Sequence, residues 1–279
     1  MYEIVAKEDL APVTKLYEVR APIVAHKARS GQFVIVRIDE EGERIPLTIA
    51  DYDREQGTIT LVVQEVGKTT MQMGAMQTGD HFASFTGPLG LPSEVENFGT
   101  VLCVGGGVGI APIYPIARDL KEAGNTVLSI IGARNVDLLF WEDKMRAVSD
   151  ELLVCTDDGS YGRKSLVTIP MKEMLEAGRP IEQIWAIGPA IMMKFCALTT
   201  QPFGVHTLVS LNSIMVDGTG MCGACRVEVG GQTRFVCVDG PEFDGHQVDW
   251  DQLLTRQRIY LDQEQQAMEK WQHDCQCGG

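Results

Sequence analysis

The sequence predicts a chain of three parts: an antiparallel β-barrel, a doubly wound α/β domain with a parallel sheet, and a small C-terminal domain rich in glycine and cysteine. Three observations predict this order. Apolar and polar residues alternate with period two in the first part, strands alternate with amphipathic helices in the second, and five of the eight cysteines fall in the last quarter of the chain. We expect domains over 1–97, 98–205 and 206–248, followed by a terminal helix and tail over 249–279.

Composition and charge exclude several classes of protein. The 279 residues include 24 basic and 38 acidic side chains, which gives a formal net charge of −14. A protein that binds a phosphate backbone needs a basic face, so this balance argues against a nucleic-acid binder. The longest uncharged stretch, 98–117, holds five glycines and two prolines, which argues against a membrane helix. The N-terminus lacks the segments of a secretory signal, so we expect a cytoplasmic protein without membrane insertion.

Short strands punctuated by turn residues predict the barrel. The runs VIVRI, TITLVV and HFASF alternate in polarity, and Gly or Pro separates them in SGQ, QGT and GPLGLP. Two motifs stand beside these strands, RIPLT (44–48), which we place at a strand end, and GKTT (67–70). An arginine and a threonine at a strand end can bind a phosphate and a flavin edge, and a Gly/Thr turn offers amides to a second phosphate. Taken singly, each motif also fits an ordinary strand end or turn.

Alternating strands and helices predict the parallel sheet of the second domain. VLCVGGG, TVLSIIGA, LLVCT and IEQIWAIGP are apolar strands, and helical patterns connect them over 110–124, 138–149 and 167–178. Gly124 and Gly178 stand where two of these helices should end, because glycine readily adopts the left-handed conformation that closes a helix. This alternation is typical of a doubly wound α/β fold.

A glycine-rich turn follows the first strand of the second domain. The segment GGGVGIAP (105–112) connects a strand to a helix, where backbone amides and the helix dipole can hold a pyrophosphate. Ile110 occupies the last place of the G-x-G-x-x-G pattern, so a plain tight turn is the alternative. Strand carboxyl ends are where α/β folds bind ligands. Three further segments follow such ends: GAR (132–134), TDDGSYG (156–162) and GPAIMM (188–193).

The most specific motif is DGTGMCGACRVEVGGQTRFVCVDGP. Cys222 and Cys225 form a C-x2-C pair, Cys237 follows after eleven residues, and four residues separate Asp217 from Cys222. This is the plant-type spacing of a two-iron cluster, with aspartate at the first place. Glycines let such a loop approach the inorganic sulfides and donate N–H bonds to them. A zinc knuckle is the alternative, but the glycine density and the lack of a second C-x2-C nearby favour iron and sulfur. A carboxylate can bind ferric iron, so we include Asp217 among the ligands.

The order of these motifs resembles that of the ferredoxin reductase-like electron-transfer subunits over nearly the whole chain. The chain is similar to the electron-transfer subunit of dihydroorotate dehydrogenase. It is also similar to the small subunit of the flavin-bifurcating NADH-dependent ferredoxin:NADP oxidoreductase, also called a sulfide dehydrogenase subunit. The dihydroorotate-type subunit uses four cysteines, so Asp217 favours the second branch. The resemblance implies FAD on the barrel, NAD(H) on the α/β domain, and a [2Fe-2S] cluster that leads to a larger flavin/iron-sulfur oxidoreductase subunit.

The resemblance also implies which residues hold each cofactor. For FAD they are Arg44, Pro46, Leu47, Thr48, Val63, Gln64, Glu65, Gly67, Thr69 and Thr70. For the nicotinamide dinucleotide they are Gly106, Gly107, Val108, Gly109, Arg134, Asp157, Asp158, Gly188 and Pro189. For the cluster they are Asp217, Cys222, Cys225 and Cys237. No acid–base residue is expected, because the cofactors perform the chemistry and the protein positions them.

We therefore expect an oxidoreductase subunit of the bifurcating type, with two alternatives left open. One is the electron-transfer subunit of dihydroorotate dehydrogenase. The other belongs to a different class, a zinc-stabilised nucleotide-sensing module without turnover. NAD(H) should be preferred to NADP(H), because a 2′-phosphate needs a basic cluster and only Arg134 is basic there. Cys275 and Cys277 fit either a mobile appendage or a second metal or redox contact.

Overall fold

The computed structural model describes residues 2–277, except for the side chains of residue 272 and residues 274–277. The thiols of Cys275 and Cys277, for which the sequence leaves two interpretations, therefore lie outside the described residues. Within the described range, no helix combines the length and the apolar character needed to cross a membrane.

The N-terminal part is an antiparallel sheet that curls into a nearly closed barrel. Its elements are β1 (Tyr2–Ala11), β2 (Thr14–Arg20), α1 (Pro22–Lys27), β3 (Phe33–Arg37), β4 (Ile45–Asp53), β5 (Thr58–Gln64), α2 (Lys68–Ala75), β6 (His81–Phe82) and β7 (Ser84–Leu89). The strands follow the order β6-β1-β2-β5-β4-β3-β7. The two edge strands, β6 and β7, are separated in the chain only by Ala83, so the edges of the sheet meet. RIPLT begins β4 rather than ending a strand, because the preceding turn delays the strand until Ile45.

The middle of the chain is a parallel sheet with helices on both faces. Its elements are β8 (Thr100–Gly106), α3 (Ile110–Glu122), β9 (Thr126–Ala133), α4 (Glu142–Val148), β10 (Glu151–Thr156), β11 (Arg163–Lys164), α5 (Thr168–Glu176), β12 (Gln183–Ile187), α6 (Ala190–Thr200) and β13 (His206–Ser210). The strands are parallel in the order β11-β10-β9-β8-β12-β13. The chain moves outward from β8 in one direction and from β12 in the other. The switch point, where such sheets bind ligands, therefore lies between β8 and β12.

The cysteine-rich segment and the terminal helices pack against this sheet. Their elements are β14 (Arg226–Val229), β15 (Gln232–Phe235), α7 (Val236–Asp239), β16 (Glu242–Asp244), α8 (Trp250–Arg256) and α9 (Leu261–Cys277). β14 and β15 form an antiparallel hairpin, and β16 pairs antiparallel with β13 at the edge of the sheet. Val236 and Cys237 are buried in the same apolar cluster as Met171 and Met193 of α5 and α6. Backbone pairing and a shared core thus fix this segment to the sheet.

Two predicted helices differ from the structure. The pattern over 138–149 predicts one helix, but α4 begins only at Glu142, because Trp141 takes a left-handed conformation with φ of 57°. The sequence predicts one terminal helix and a tail over 249–279, whereas α8 and α9 are two helices separated by a turn over 257–260.

The two helix ends that glycine predicts are confirmed. Gly124 and Gly178 have φ of 90° and 70°, and each stands two residues after the last residue of its helix, α3 or α5. Their amides donate to carbonyls of the last helical turn, at 3.0 Å in both cases. The left-handed glycine closes each helix so that the chain can enter the next strand.

A network of charged and aromatic side chains joins the barrel to the sheet. Arg118 on α3 donates to Asp51 on β4 at 2.6 Å and to Asp119 at 3.1 Å. Its guanidinium also lies over the ring of Tyr52, 5.1 Å from the centroid. β4 carries the RIPLT segment, and α3 begins at the glycine turn. The network therefore fixes two predicted cofactor sites relative to each other.

Candidate cofactor sites

A cavity of about 920 Å³ opens between the barrel and the sheet. Its walls come from the start of β4, the end of β5, and the carboxyl ends of β8, β9, β10, β12 and β13. It brings together these predicted cofactor residues: Pro46, Thr48, Gln64, Gly106, Gly107, Val108, Gly109, Arg134, Asp157, Gly188 and Pro189. Outside its lining are Arg44, Leu47, Val63, Glu65, Gly67, Thr69, Thr70 and Asp158. The cavity thus spans two sites that the sequence places on separate domains.

The glycine turn brings β8 and β12 close together at the switch point. Gly107 has a φ of 55° in the 3-10 turn that precedes α3. A Cβ on Gly109 would collide with the Ile187 carbonyl, and one on Gly106 would collide with the sulfur of Met192. The backbone can approach this closely only because glycine has no side chain. The turn over 106–109 therefore forms the cavity wall at the start of α3, where its backbone can approach a pyrophosphate.

On the barrel side, strand alternation decides which predicted residues reach the cavity. Pro46 and Thr48 line it together with Phe33, which lies opposite Thr48 in the ladder between β3 and β4. Leu47 points to the other face of β4 and packs on the barrel core, where Val63 is also buried. Leu47 and Val63 can therefore offer a flavin only backbone groups.

The Gly67–Thr70 turn lies at the N-terminus of α2. The Thr70 hydroxyl accepts hydrogen bonds from the amides of Val66 at 3.0 Å and Gly67 at 2.9 Å. The Thr69 hydroxyl donates to Glu43 at 2.5 Å. These bonds order the turn, and they leave the first helical amides for an anion, which is the geometry that a phosphate requires.

Arg44 connects the barrel to the cysteine-rich loop. Its Nε donates to the carbonyl of Val216, the residue before Asp217, at 2.9 Å. The two residues are 172 positions apart, and no local motif announces their contact. Glu65, another predicted flavin residue, lies beside Gly74 of α2. The barrel and the predicted cluster loop are therefore in direct contact.

Charged side chains at the ends of β9 and β10 border the cavity. Arg134 and Asp157 line it. The Asp158 carboxylate instead accepts a hydrogen bond from the Ser160 amide at 2.9 Å, and this bond lowers the pKa of Asp158. One basic and one acidic side chain, Arg134 and Asp157, therefore lie at the predicted ribose side of a dinucleotide.

The four predicted cluster ligands lie as two pairs. The sulfur atoms of Cys225 and Cys237 are 3.3 Å apart, and the Cys237 amide donates to the Cys225 sulfur at 3.5 Å. Burial and the neighbouring Cys225 raise the pKa of the Cys237 thiol to about 12. The Asp217 carboxylate accepts hydrogen bonds from the amides of Thr219 and Cys222, both at 2.8 Å. These bonds lower the pKa of Asp217.

This donor arrangement fits a two-iron cluster better than a zinc ion. Among the side chains that the structure describes, no three from His, Cys, Asp or Glu are grouped closely enough to hold one metal ion. A structural zinc site needs four donors around one ion, whereas a two-iron cluster spreads its four ligands over two irons. The loop also has left-handed glycines at Gly218, Gly220 and Gly223, which allow its backbone to wrap a cluster. The residues present therefore fit the cluster.

Several cavity residues carry no motif and are missed by sequence reasoning. At the carboxyl end of β13, the lining includes Ser210, Leu211, Asn212 and Ser213. The rule that ligands bind at strand carboxyl ends would find this group, because β13 ends at Ser210. Phe140 also lines the cavity, but it depends on the left-handed backbone of the next residue, for which the sequence carries no signal.

Comparison with protein families identifies both ends of the chain. Residues 1–92 match the oxidoreductase FAD-binding domain. Residues 212–249 match the iron-sulfur cluster binding domain of dihydroorotate dehydrogenase B. The first match covers the barrel, and the second covers the loop with Asp217 and the three clustered cysteines. The matches confirm the expectation of FAD and an iron-sulfur cluster.

Whole-chain comparisons find similar proteins of nearly the same length. The chain is 53% identical over 269 residues to the dihydroorotate dehydrogenase B (NAD(+)) electron transfer subunit homolog of Thermotoga maritima, covering 96% of this chain and 95% of the relative. It is 32% identical over 254 residues to the dihydroorotate dehydrogenase B (NAD(+)) electron transfer subunit of Geobacillus thermodenitrificans, covering 88% and 96%.

A solved structure has the same fold over almost the whole chain. It comes from work on flavin-based electron bifurcation via the NADH-dependent reduced ferredoxin-NADP oxidoreductase. It matches with a TM-score of 0.91 and 51% identity, covering 97% of this chain and 98% of that chain. This likeness confirms the predicted combination of barrel, parallel α/β sheet and iron-sulfur domain.

Proposed function

The chain belongs to the family of the dihydroorotate dehydrogenase B electron-transfer subunits and their homologues, and from this premise we propose that it passes electrons from NADH through FAD to a [2Fe-2S] cluster and a larger partner subunit. The observation that carries the proposal is the shared cavity. Its lining includes Pro46, Thr48 and Gln64 of the predicted flavin residues together with all of the predicted nicotinamide residues except Asp158. A hydride donor and its acceptor must meet in one site, and this cavity is bordered by residues of both predicted cofactor sites.

The residues of the chain bind and orient the cofactors. When bound, FAD supplies a centre that takes a hydride and gives up single electrons. Pro46, Thr48 and Gln64 form the barrel wall of the cavity, and the turn over 106–109 forms the opposite wall with Gly188. The backbone groups of Leu47 and Val63 and the amides at the start of α2 are the further proposed contacts to the flavin.

The proposed cluster ligands are Asp217, Cys222, Cys225 and Cys237. Cys225 and Cys237 form the buried pair, whereas Cys222 is exposed. An exposed ligand beside a buried pair puts the cluster at the surface, where electrons can leave for another protein. Arg44 joins the barrel to this loop, since it contacts the loop carbonyl next to Asp217.

We place the chain in the bifurcating branch, as the small subunit of an NADH-dependent ferredoxin:NADP oxidoreductase. Its 51% identity to the chain from the bifurcation study exceeds the 32% to the subunit from Geobacillus thermodenitrificans. Asp217 supports the same branch. The electron-transfer role for dihydroorotate dehydrogenase is the second candidate, favoured by the name of the relative from Thermotoga maritima.

Purification of the native complex distinguishes these two candidates. The chain, tagged at its N-terminus in its own host, should retain a larger flavin and iron-sulfur subunit, which mass spectrometry would identify. The purified complex should reduce NADP in the presence of NADH and reduced ferredoxin, and it should not oxidise dihydroorotate. Recovery of a dihydroorotate-oxidising subunit would place the chain in the other branch.

An absorption spectrum tests the proposed function itself. The purified chain should be coloured, with FAD and two irons per chain, and NADH should bleach both the flavin and the cluster absorbance under anaerobic conditions. A colourless protein that contains zinc would instead support the nucleotide-sensing module, because zinc has no visible absorption.

A further inference from the structure

Glu242 lies where the barrel, the sheet and the cysteine-rich segment meet. It begins β16, five residues after Cys237. The Ser93 hydroxyl donates to one carboxylate oxygen at 2.5 Å, and the indole N–H of Trp185 donates to the other at 3.1 Å. Ser93 belongs to the segment between β7 and β8, and Trp185 belongs to β12. One side chain therefore connects three parts of the molecule.

The barrel lies against the Glu242 carboxylate at Gly31, which has no side chain. Gly31 has a φ of 82°, and a Cβ there would collide with the Ser93 hydroxyl and come within 2.9 Å of Glu242. The Ser93 amide also donates to the carbonyl of Ser30 at 2.9 Å. The loop before β3 thus packs directly on the Ser93–Glu242 pair.

Backbone hydrogen bonds hold the two residues before Glu242 from opposite sides. The amide of Leu91, just after β7, donates to the Gly240 carbonyl at 2.7 Å. The amide of Leu211, just after β13, donates to the Pro241 carbonyl at 2.9 Å. Leu211 and Pro241 both line the cavity. The segment from Cys237 to Glu242 therefore runs from a proposed cluster ligand to the cavity wall.

None of the proposed cofactor contacts uses Glu242. The residue is absent from the cavity lining, and it is not a proposed cluster ligand. Burial raises the pKa of its carboxyl, while the bonds from Ser93 and Trp185 act in the opposite direction. An apolar residue would fill such a position at lower cost, because withdrawing a carboxylate from water is unfavourable unless it is fully hydrogen-bonded. The bonded carboxylate is therefore better explained by the orientation that it imposes.

We propose that Glu242 is a positioning residue, which uses its bonds to Ser93 and Trp185 to hold the Cys237-bearing segment against the barrel and the sheet. It thereby sets the place of the cluster relative to the cavity. The consequence for the cluster rests on the proposed function, whereas the three-way contact does not.

Hydrogen exchange measures the contact directly in the purified full-length protein. In Glu242→Gln and in Ser93→Ala, the amides of Leu91 and Leu211 should exchange several-fold to about tenfold faster than in the parent, the range expected for the loss of one hydrogen bond. Amides of the barrel ladder between β2 and β5 should exchange at the parent rate. The control is Glu173→Gln, which removes a surface carboxylate paired with Arg163.

Two exchange results would overturn the proposal. One is parent-like exchange at Leu91 and Leu211 in both variants. The other is equal acceleration throughout the barrel and the sheet, which would indicate a general loss of stability and no positioning. Ser93→Ala leaves the carboxylate in place, so it also serves if Glu242→Gln does not fold.

Single-turnover reduction tests the consequence for the cluster. In Glu242→Gln and Trp185→Phe, NADH should reduce the flavin at the parent rate, while the cluster absorbance should bleach several-fold more slowly. Two results would contradict the proposal: equal slowing of flavin reduction and cluster reduction, or no slowing of either step. If NADH bleaches neither the flavin nor the cluster absorbance of the parent, the proposed function fails. The hydrogen-exchange experiment still decides whether Glu242 positions its segment.

Discussion

At the scale of single residues, Asp217 is the one predicted cluster ligand that is not a cysteine. Its two carboxylate oxygens each accept an amide of the same loop, so the residue orders the loop whether or not it binds iron. A ligand role is compatible with these bonds, because each carboxylate oxygen has a second lone pair that can bind iron. A thiolate donates more charge to iron than a carboxylate does, and ligand identity is one of the factors that set the reduction potential of a cluster.

Asp217→Cys should keep a two-iron cluster, lower its reduction potential and change its visible spectrum. Redox titration followed by paramagnetic resonance measures the change. The matched control is Asp249→Cys, because the Asp249 carboxylate also caps a backbone amide, that of Gln252, but on α8. If Asp217→Cys matches the parent in both measurements, aspartate is a loop residue and no ligand.

The charges at the end of β10 should decide the choice of nicotinamide cofactor. Asp157 borders the cavity and would face a 2′-phosphate, so we expect the parent to prefer NADH to NADPH. Asp157→Asn should reduce this preference about fivefold, the ratio for ~1 kcal/mol of repulsion between unit charges 4 Å apart in water. The measurement is the rate of flavin reduction by each nucleotide at equal concentration. Asp143→Asn, which removes a charge from the nearby α4 outside the cavity, should leave the ratio unchanged. A parent reduced faster by NADPH would contradict the expectation.

At the scale of elements, the sequence predicts what local patterns determine. Period-two alternation predicts the barrel strands, and glycine predicts the ends of α3 and α5. The start of α4 is not predictable, because the left-handed backbone of Trp141 depends on its packing against Tyr114 and Phe140, with ring centroids 5.5 Å and 5.8 Å away. β16 is also missed, since three residues carry too little pattern and their partner strand, β13, lies more than thirty positions earlier.

The Arg118–Asp51 pair should contribute measurably to the joining of α3 and β4. Both side chains are only 21% exposed. Arg118→Met should therefore cost about 1–3 kcal/mol, because it leaves the Asp51 carboxylate partly buried without its partner. Thermal unfolding should show a midpoint lower by about 5 °C. Lys172→Met is the control, since its pair with Glu176 is more than half exposed and should contribute less than about 0.5 kcal/mol. Equal effects of the two substitutions would show that the junction does not depend on the pair.

At the scale of the whole molecule, the site results from how the three parts are packed. Motifs predict the residues on each wall of the cavity, because each wall is a local strand end or turn. They do not predict that the walls face each other, that Arg44 meets Val216, or that Glu242 meets Ser93 and Trp185. These contacts join residues that are 172, 149 and 57 positions apart, and only tertiary packing determines them. The assignment of individual residues to FAD, the dinucleotide and the cluster stays a prediction.

The proposed flavin and cluster sites lie on different parts of the chain. We therefore expect that the cluster can be removed without loss of the flavin site. Cys237→Ala should abolish the paramagnetic resonance and absorbance of the cluster, because Cys237 supplies a proposed ligand from a segment separate from the barrel. NADH should still reduce the flavin, and electrons should stop there. The control is Cys196→Ala, another fully buried cysteine on a helix, which should keep both cofactors because α6 contributes no ligand. Loss of the flavin together with the cluster in Cys237→Ala alone would show that the barrel cannot hold its cofactor without the packed cysteine segment, and that the two sites form one cooperative unit.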